Sequence, residues 1–245
     1  MRFTGKTALV TGAAKGVGRA TATKFAKEGA NVVILDINAE NLSATEAEIR
    51  EITPNVLSIV CDISDEKAVN DVFSKAKEKF GNVDILVNNA AVFRQHKPFI
   101  ELTTEDWKTY FDINVMGTMF CTKAALPDML ERHYGRIINV SSVAGVYGIA
   151  SMSHYSATKG AVNSMTRAIA KEVTEQGVLV NAVCPGSVSP ADVDDMDYTR
   201  PSSLSFTGRT GSDNENANLI CFLASDEASY IAGQCIQIDG CRKKM

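Results

Sequence analysis

Thr7-Ala8-Leu9-Val10-Thr11-Gly12-Ala13-Ala14-Lys15-Gly16-Val17-Gly18 sets the plan of this chain. A short apolar, β-rich run passes directly into a glycine-rich turn, and a helix is predicted over 18–28. Glycines after a strand permit a tight turn and let backbone N–H groups come close to a pyrophosphate. A helix N-terminus adds partial positive charge there. The spacing is Gly-x-x-x-Gly-x-Gly, not the usual Gly-x-Gly-x-x-Gly fingerprint. The position, at the first strand–helix junction, makes a dinucleotide cradle the leading reading. Gly12, Lys15, Gly16, Val17 and Gly18 are its candidate contacts.

An acid follows at the right distance. Asp36 ends the second predicted strand, 18 residues after Gly18, with Ile37 beside it. A carboxylate there accepts hydrogen bonds from the adenosine ribose hydroxyls. It also repels a 2′-phosphate, which favours NAD. Lys15 points the other way, since a cation in the glycine loop pairs with a 2′-phosphate and keeps NADP as the alternative.

The same strand–helix rhythm continues. Strands are predicted over 7–10, 31–35, 56–60, 85–87, 136–140, 179–183 and 235–238. Their near-continuous apolar character suits parallel strands covered on both faces. Helices are predicted over 18–28, 39–51, 66–80, 104–132, 153–176 and 213–224, with Gly29 and Gly177 placed as C-terminal caps. This alternation predicts an α/β fold, a single-domain, doubly wound, Rossmann-type sheet of seven parallel strands spanning 1–245. One region breaks the rhythm. Residues 187–211 are rich in Ser, Asp, Pro and Thr and are too long for an ordinary connection, so they are read as a substrate loop.

Composition narrows the function. With 45% hydrophobic residues and a net charge of −4, interspersed and without a basic block, nothing points to nucleic acid or an anionic membrane. No apolar run reaches the length of a membrane span. The first six residues lead straight into a strand, which argues against a signal peptide. Six scattered cysteines without Cys-x-x-Cys, and three histidines, indicate neither a disulfide framework nor a metal site, and fit a reducing cytoplasm.

The chemistry centres on Tyr155-Ser156-Ala157-Thr158-Lys159, with Ser142 thirteen residues before Tyr155. Tyr155 and Lys159 are four apart and share a helix face. A phenol with a free pKa of about 10 is a poor acid at neutral pH. An adjacent ammonium favours the phenolate and makes tyrosine usable as a general acid/base. His154, one residue away, does not share that face and is read as lining or structural. Cys184 is read as a buried, inert thiol, and Trp107 and Tyr110 as packing.

With these residues in place, the chain resembles the short-chain dehydrogenase/reductase family nearly end to end. The loop Thr11–Gly18 is similar to the family's cofactor motif. Asp62, followed by Ile63, matches the acid that holds the adenine ring. Asn88-Asn89-Ala90-Ala91 resembles Asn-Asn-Ala-Gly. Asn114, Ser142, Tyr155 and Lys159 match the catalytic residues, and Pro185-Gly186 matches the turn beside the nicotinamide, with Val188 just beyond it. Phe222–Asp226 and Ile238-Asp239-Gly240 match the C-terminal signatures. There are three departures. Pro190 stands where a threonine commonly contacts the nicotinamide, with Ser189 as a substitute hydroxyl. Ala91 replaces glycine, and Cys241 follows Gly240.

The resemblance implies hydride transfer between a nicotinamide cofactor and a secondary alcohol or ketone. Tyr155 would carry the proton. Lys159 would lower the Tyr155 pKa and bind the nicotinamide ribose, and Asn88, Ala90, Pro185, Gly186 and Val188 would line the cofactor. Ser142 would hold the substrate oxygen, and Asn114 would hold a water linking Lys159 to solvent. The competing readings are an NADPH-dependent 3-oxoacyl-type reductase and a catalytically silent dinucleotide-binding subunit. Specificity is expected in 143–152 and 187–211, where Asp192, Asp194, Asp195 and Asp197 are read as facing solvent. The resemblance also implies a homo-oligomer, a tetramer with a dimer as the alternative. Ala157, Ala161, Met165, Ala168 and Ala170 supply small apolar residues for helix packing.

Overall fold

The computed structural model describes residues 1–93, 96–189 and 193–243. Seven parallel strands form one sheet: β1 (Thr7–Thr11), β2 (Asn31–Asp36), β3 (Val56–Val60), β4 (Ile85–Asn88), β5 (Gly135–Val140), β6 (Val178–Pro185) and β7 (Cys235–Ile238). Their order is β3-β2-β1-β4-β5-β6-β7. The chain starts at β1, winds outward to β3, then crosses back to β4 on the other side of β1. That reversal opens a crevice at the carboxyl ends of β1 and β4, where open α/β sheets bind ligands.

The strands hold because both faces are covered. Ala8 and Val10 pack on one side with Phe25, Ile34 and Ile220. Leu9, one residue out of phase, packs on the other with Leu35, Leu86, Val72 and Met129. Successive side chains of a strand point to opposite faces, so the central strands β1, β2 and β4 feed two cores and read as near-continuous apolar runs.

The helices are α1 (Gly16–Lys27), α2 (Ala39–Arg50), α3 (Glu66–Phe80), α4 (Thr104–Phe111), α5 (Thr118–Glu131), α6 (Ala144–Tyr147), α7 (Ser153–Val173) and α8 (Asp213–Ala224). Local chemistry starts four of them. The side chains of Asn38 and Asp65 cap α2 and α3, and capping boxes start α4 at Thr103/Asp106 and α8 at Ser212/Glu215. Gly29 and Gly177 adopt positive φ, 91° and 82°, as expected of residues that end helices.

The predicted helix over 104–132 is not uniform. Between α4 and α5 the chain widens into a π-turn, Asp112–Gly117. The predicted helix over 153–176 ends at Val173, followed by a 3-10 turn, Thr174–Gln176. The 187–211 segment is stitched at its base by a parallel bridge between Val188 and Gly211. Among the described residues, no helix is long and apolar enough to cross a membrane.

Candidate active site

The glycine loop is shaped by close approach. Gly12 has φ +64°, and a Cβ there would sit 2.7 Å from Ala90 Cα. A Cβ on Gly18 would lie 2.1 Å from the Gly12 carbonyl oxygen, and Gly16 has φ +60°. No side chain caps α1 at Lys15, which is exposed. The first N–H groups of α1 therefore remain open to an anion.

Asn89 laces this loop to β4. Its Nδ2 donates to the carbonyls of Thr11 (3.0 Å) and Gly12 (2.9 Å). The backbone N–H groups of Asn89 and Ala90 both donate to Thr11 Oγ1 at 3.0 Å. Neither Asn89 nor Thr11 stands among the sequence candidates. Strand alternation was the available signal, since Asn88 turns inward and its neighbour must turn out. The Asn88 Nδ2 donates to Thr122 Oγ1 (3.0 Å) and Asn139 Oδ1 (2.9 Å). Its side chain thus braces the sheet against α5.

Asp36 sits against the loop. Its Oδ2 accepts from the Ala14 N–H (3.1 Å) and its Oδ1 from the Asn38 N–H (2.9 Å). Ile37 beyond it is exposed. Asp62 Oδ1 accepts from the N–H (2.9 Å) and hydroxyl (2.7 Å) of Ser64, and Asp62 is exposed. Ile63 is buried against Gly117. Close-packed glycines, an uncapped helix start and a carboxylate at the end of β2 fit a dinucleotide with its pyrophosphate on α1.

Tyr155 and Lys159 lie on α7, and Ser142 follows β5. Tyr155 is almost fully buried, and burial pushes its phenol up to about 12, with a hydrogen bond to Ser142 acting in the opposite direction. Lys159 is buried as well, and desolvation pushes its ammonium down to about 8. Its Nζ donates to the Val140 carbonyl at 2.8 Å and lies 5.7 Å from the centre of the Tyr155 ring. The lowering of Tyr155 by Lys159 expected from the sequence is not seen: burial dominates, opposed by the Ser142 hydrogen bond. Ser142 Oγ accepts from the Ala144 N–H at 3.0 Å, which leaves its own proton for another acceptor.

Asn114 lies in the π-turn and is buried. Its Oδ1 accepts from the Val92 N–H (2.7 Å), and its Nδ2 donates to the Val92 carbonyl (3.2 Å) and to Thr158 Oγ1 (3.1 Å). Thr158 in turn donates to the Tyr155 carbonyl at 2.8 Å. Asn114 thus ties α7 to the segment leaving β4. Across the cleft, the Val143 N–H donates to the Pro185 carbonyl (3.0 Å) and the Gly186 N–H to the Ile238 carbonyl (3.0 Å).

The hydroxyl of Ser189 points into its own loop, bonding the Tyr198 carbonyl and Thr210. It is not free to replace a threonine at the nicotinamide. Pro190 and Asp192 lie outside the described residues. Asp194, Asp195 and Asp197 are exposed, and Asp194 pairs with Arg19 of α1 at 3.1 Å. His154 is buried against Tyr110, ring centres 3.9 Å apart, and burial lowers its pKa. Trp107 contacts Phe99, Phe111 and His154. Cys184 is buried, its thiol pushed up to about 11 by desolvation.

Known proteins share this fold and sequence. The family model described as short chain dehydrogenase matches residues 6–199. The 3-oxoacyl-[acyl-carrier-protein] reductase FabG of Thermotoga maritima is 39% identical over 243 residues, covering 98% of both chains. Sorbitol dehydrogenase of Cereibacter sphaeroides is 38% identical over 256 residues, also covering 98% of both. Among solved structures, levodione reductase superposes with a TM-score of 0.90 at 32% identity, covering 98% of each chain. NAD+-bound xylitol dehydrogenase gives 0.89 at 32% identity, covering 98% of this chain and 100% of its own. The chain belongs to the short-chain dehydrogenase/reductase family and is an oxidoreductase of the NAD(P)-using kind.

Proposed function

We propose that the protein interconverts a secondary alcohol and its ketone, with Tyr155 as general acid/base and NAD as the preferred cofactor. The arrangement of Tyr155 against Ser142, with Lys159 one helical turn along α7, carries the reaction. The cofactor preference rests on Asp36 bonded into the glycine loop through Ala14. Gly12, Lys15, Gly16, Val17 and Gly18 would hold the pyrophosphate end, Asp36 and Ile37 the ribose, and Asp62 and Ile63 the adenine. Ala90, Pro185, Gly186, Val188 and Lys159 would line the nicotinamide half. The bound nicotinamide supplies the hydride chemistry.

Ser142 Oγ donates to the substrate oxygen and stabilises charge that develops on it. Tyr155 Oη gives a proton to that oxygen in reduction and takes one in oxidation. A phenol near 12 is protonated at neutral pH, the form that donates to a carbonyl. Lys159 and Asn114 hold Tyr155 in place from two sides. Substrate specificity would lie in 143–152 and 187–211.

A second reading, 3-oxoacyl reduction with NADPH, is favoured by the exposed Lys15 of the glycine loop, a cation that would pair with a 2′-phosphate, and by the Thermotoga maritima relative. A silent binding subunit is the third, and an intact Tyr155/Lys159 pair speaks against it. The six unpaired cysteines suit the cytoplasm. Self-association through α5 and α7, to a tetramer, completes the proposal.

Two variants test it. Tyr155→Phe keeps the ring and removes the proton carrier. It should lower kcat by roughly 10²–10⁴-fold with cofactor affinity nearly unchanged. Retained turnover would sink Tyr155 as the base. Asp36→Ala should narrow or reverse the preference for NADH over NADPH in titrations of cofactor binding. Wild-type protein that binds NADPH at least as tightly as NADH makes Lys15 decisive and the second reading correct.

A further inference from the structure

Two residues that follow β4, Val92 and Lys97, are each held by hydrogen bonds. Val92 is clamped at its N–H and its carbonyl by the Asn114 amide. Lys97 is held by its N–H to the Ser151 carbonyl (2.8 Å) and by its Nζ to Asp106 (2.9 Å). Phe93 sets out directly from the first clamp. Its ring stands edge-on to the Tyr155 ring, with centroids 4.8 Å apart and planes at 60°. Even so, 56% of Phe93 is exposed. A lone exposed apolar residue needs no explanation. This one is not alone, because it touches the proton carrier while its outer face lies uncovered. Beneath this ring lies a buried apolar cluster. Tyr155 packs with Tyr110, Ala144 and Met152, and with Val92 and Ile149, in one cluster of aromatic and aliphatic side chains.

We propose that Phe93 is a specificity-determining residue, forming the wall for the group attached to the reacting carbon, and that this group is an aromatic or compact apolar ring. The inference rests on the reading of Tyr155 as the proton carrier. A hydroxyl-rich chain laid on this wall would give up hydrogen bonds to water and find no polar partner on these side chains. A ring buries apolar area there and adds an edge-to-face contact with Phe93. Phe93 is thus the residue that separates ring-bearing carbinols from open-chain polyols.

Wild-type protein, Phe93→Ala and Phe93→Leu are to be compared with methyl phenyl carbinol and xylitol as substrates. Binding of acetophenone to the NADH-loaded protein is measured alongside by calorimetry. Wild type should prefer the aryl carbinol. Phe93→Ala should cut kcat/KM for it about tenfold, through KM, and leave xylitol nearly unchanged. The acetophenone Kd should weaken about tenfold as well. Phe93→Leu keeps an apolar wall, so it should retain discrimination against xylitol while losing part of the gain from the ring. NADH affinity and Tm should match wild type in both variants. If Phe93→Ala fails to fold, the same comparisons are read from Phe93→Leu. A wild-type preference for xylitol, or an unchanged aryl-to-polyol ratio with an unchanged acetophenone Kd, overturns the proposal. Turnover that survives Tyr155→Phe condemns the proton-carrier reading instead, and the acetophenone Kd still reports on Phe93.

Discussion

Lys159 is a buried ammonium, and its Nζ bonds a backbone carbonyl, not an acid. Burying a charge without a counter-charge is costly, and its pKa of about 8 reports that cost. The unfolded lysine titrates near 10.5. Below pH 8 the group is charged in both states, and the native state bears the whole penalty. Between 8 and 10.5 the folded lysine is neutral while the unfolded one is charged, so the penalty fades as pH rises. Lys159→Met is therefore expected to raise Tm at pH 7 and abolish activity, with the Tm gain shrinking toward pH 10. A Tm that falls, or a gain flat with pH, would show that the ammonium is not a burden on the fold. At this scale the sequence exposes identities and spacing but not surroundings. Tyr155, Lys159 and Ser142 are legible from their intervals. Whether Lys159 or burial governs Tyr155 is not, because the residues that bury it, Tyr110 among them, lie far away in sequence. The roles of Asn88 and Asn89 separate only once the parity of β4 is known.

Elements were legible where one period persists. The strands sit within a residue or two of their predicted positions, since the central ones are buried on both faces. The stretch over 104–132 is continuously helix-compatible, and nothing in its pattern marks the π-turn at Asp112–Gly117. Such turns cluster at functional sites, and this one carries Asn114. A close tertiary contact lies at its last residue, Gly117. A Cβ there would meet Ile63 Cδ1 at 2.6 Å, Ile63 Cγ1 at 2.7 Å and the Ile63 carbonyl oxygen at 3.1 Å. The β-branched Ile63 has little rotamer freedom to yield. Gly117→Ala should cost about 1–3 kcal/mol of stability by overpacking, read from urea midpoints. Ile63→Val removes the nearest methyl, so the double variant should recover part of that loss. Additive losses would mean that Gly117 is required for another reason.

At the scale of the whole molecule, the alternation of strands and helices makes a doubly wound sheet readable from the sequence. Links between distant segments were not readable, because side chains make them. Arg19 joins Glu48 and Asp194, so that α1, α2 and the 187–211 segment meet at one guanidinium. The same limit applies to the outer surface. Of the alanines proposed for helix packing, Ala170 is buried in the core, whereas Ala157 and Ala168 are exposed and Ala161 and Met165 half-buried. These four lie along one flank of α7. Leu126, Pro127 and Leu130 of α5, with Ile169 of α7, line an apolar hollow of about 320 Å³. Small side chains let helices approach closely, and a second copy would cover this surface while bracing the helix that carries Tyr155 and Lys159. Light scattering at micromolar concentration should give a mass near four times 26.4 kDa. Ala161→Glu and Ala168→Glu place an unpaired charge in that contact. They should shift the mass toward the dimer or single chain and leave the affinity for NADH nearly intact. A wild-type mass near one chain refutes the assembly. A wild-type mass near two leaves a dimer, and variants that leave the tetramer whole put its contacts on another face.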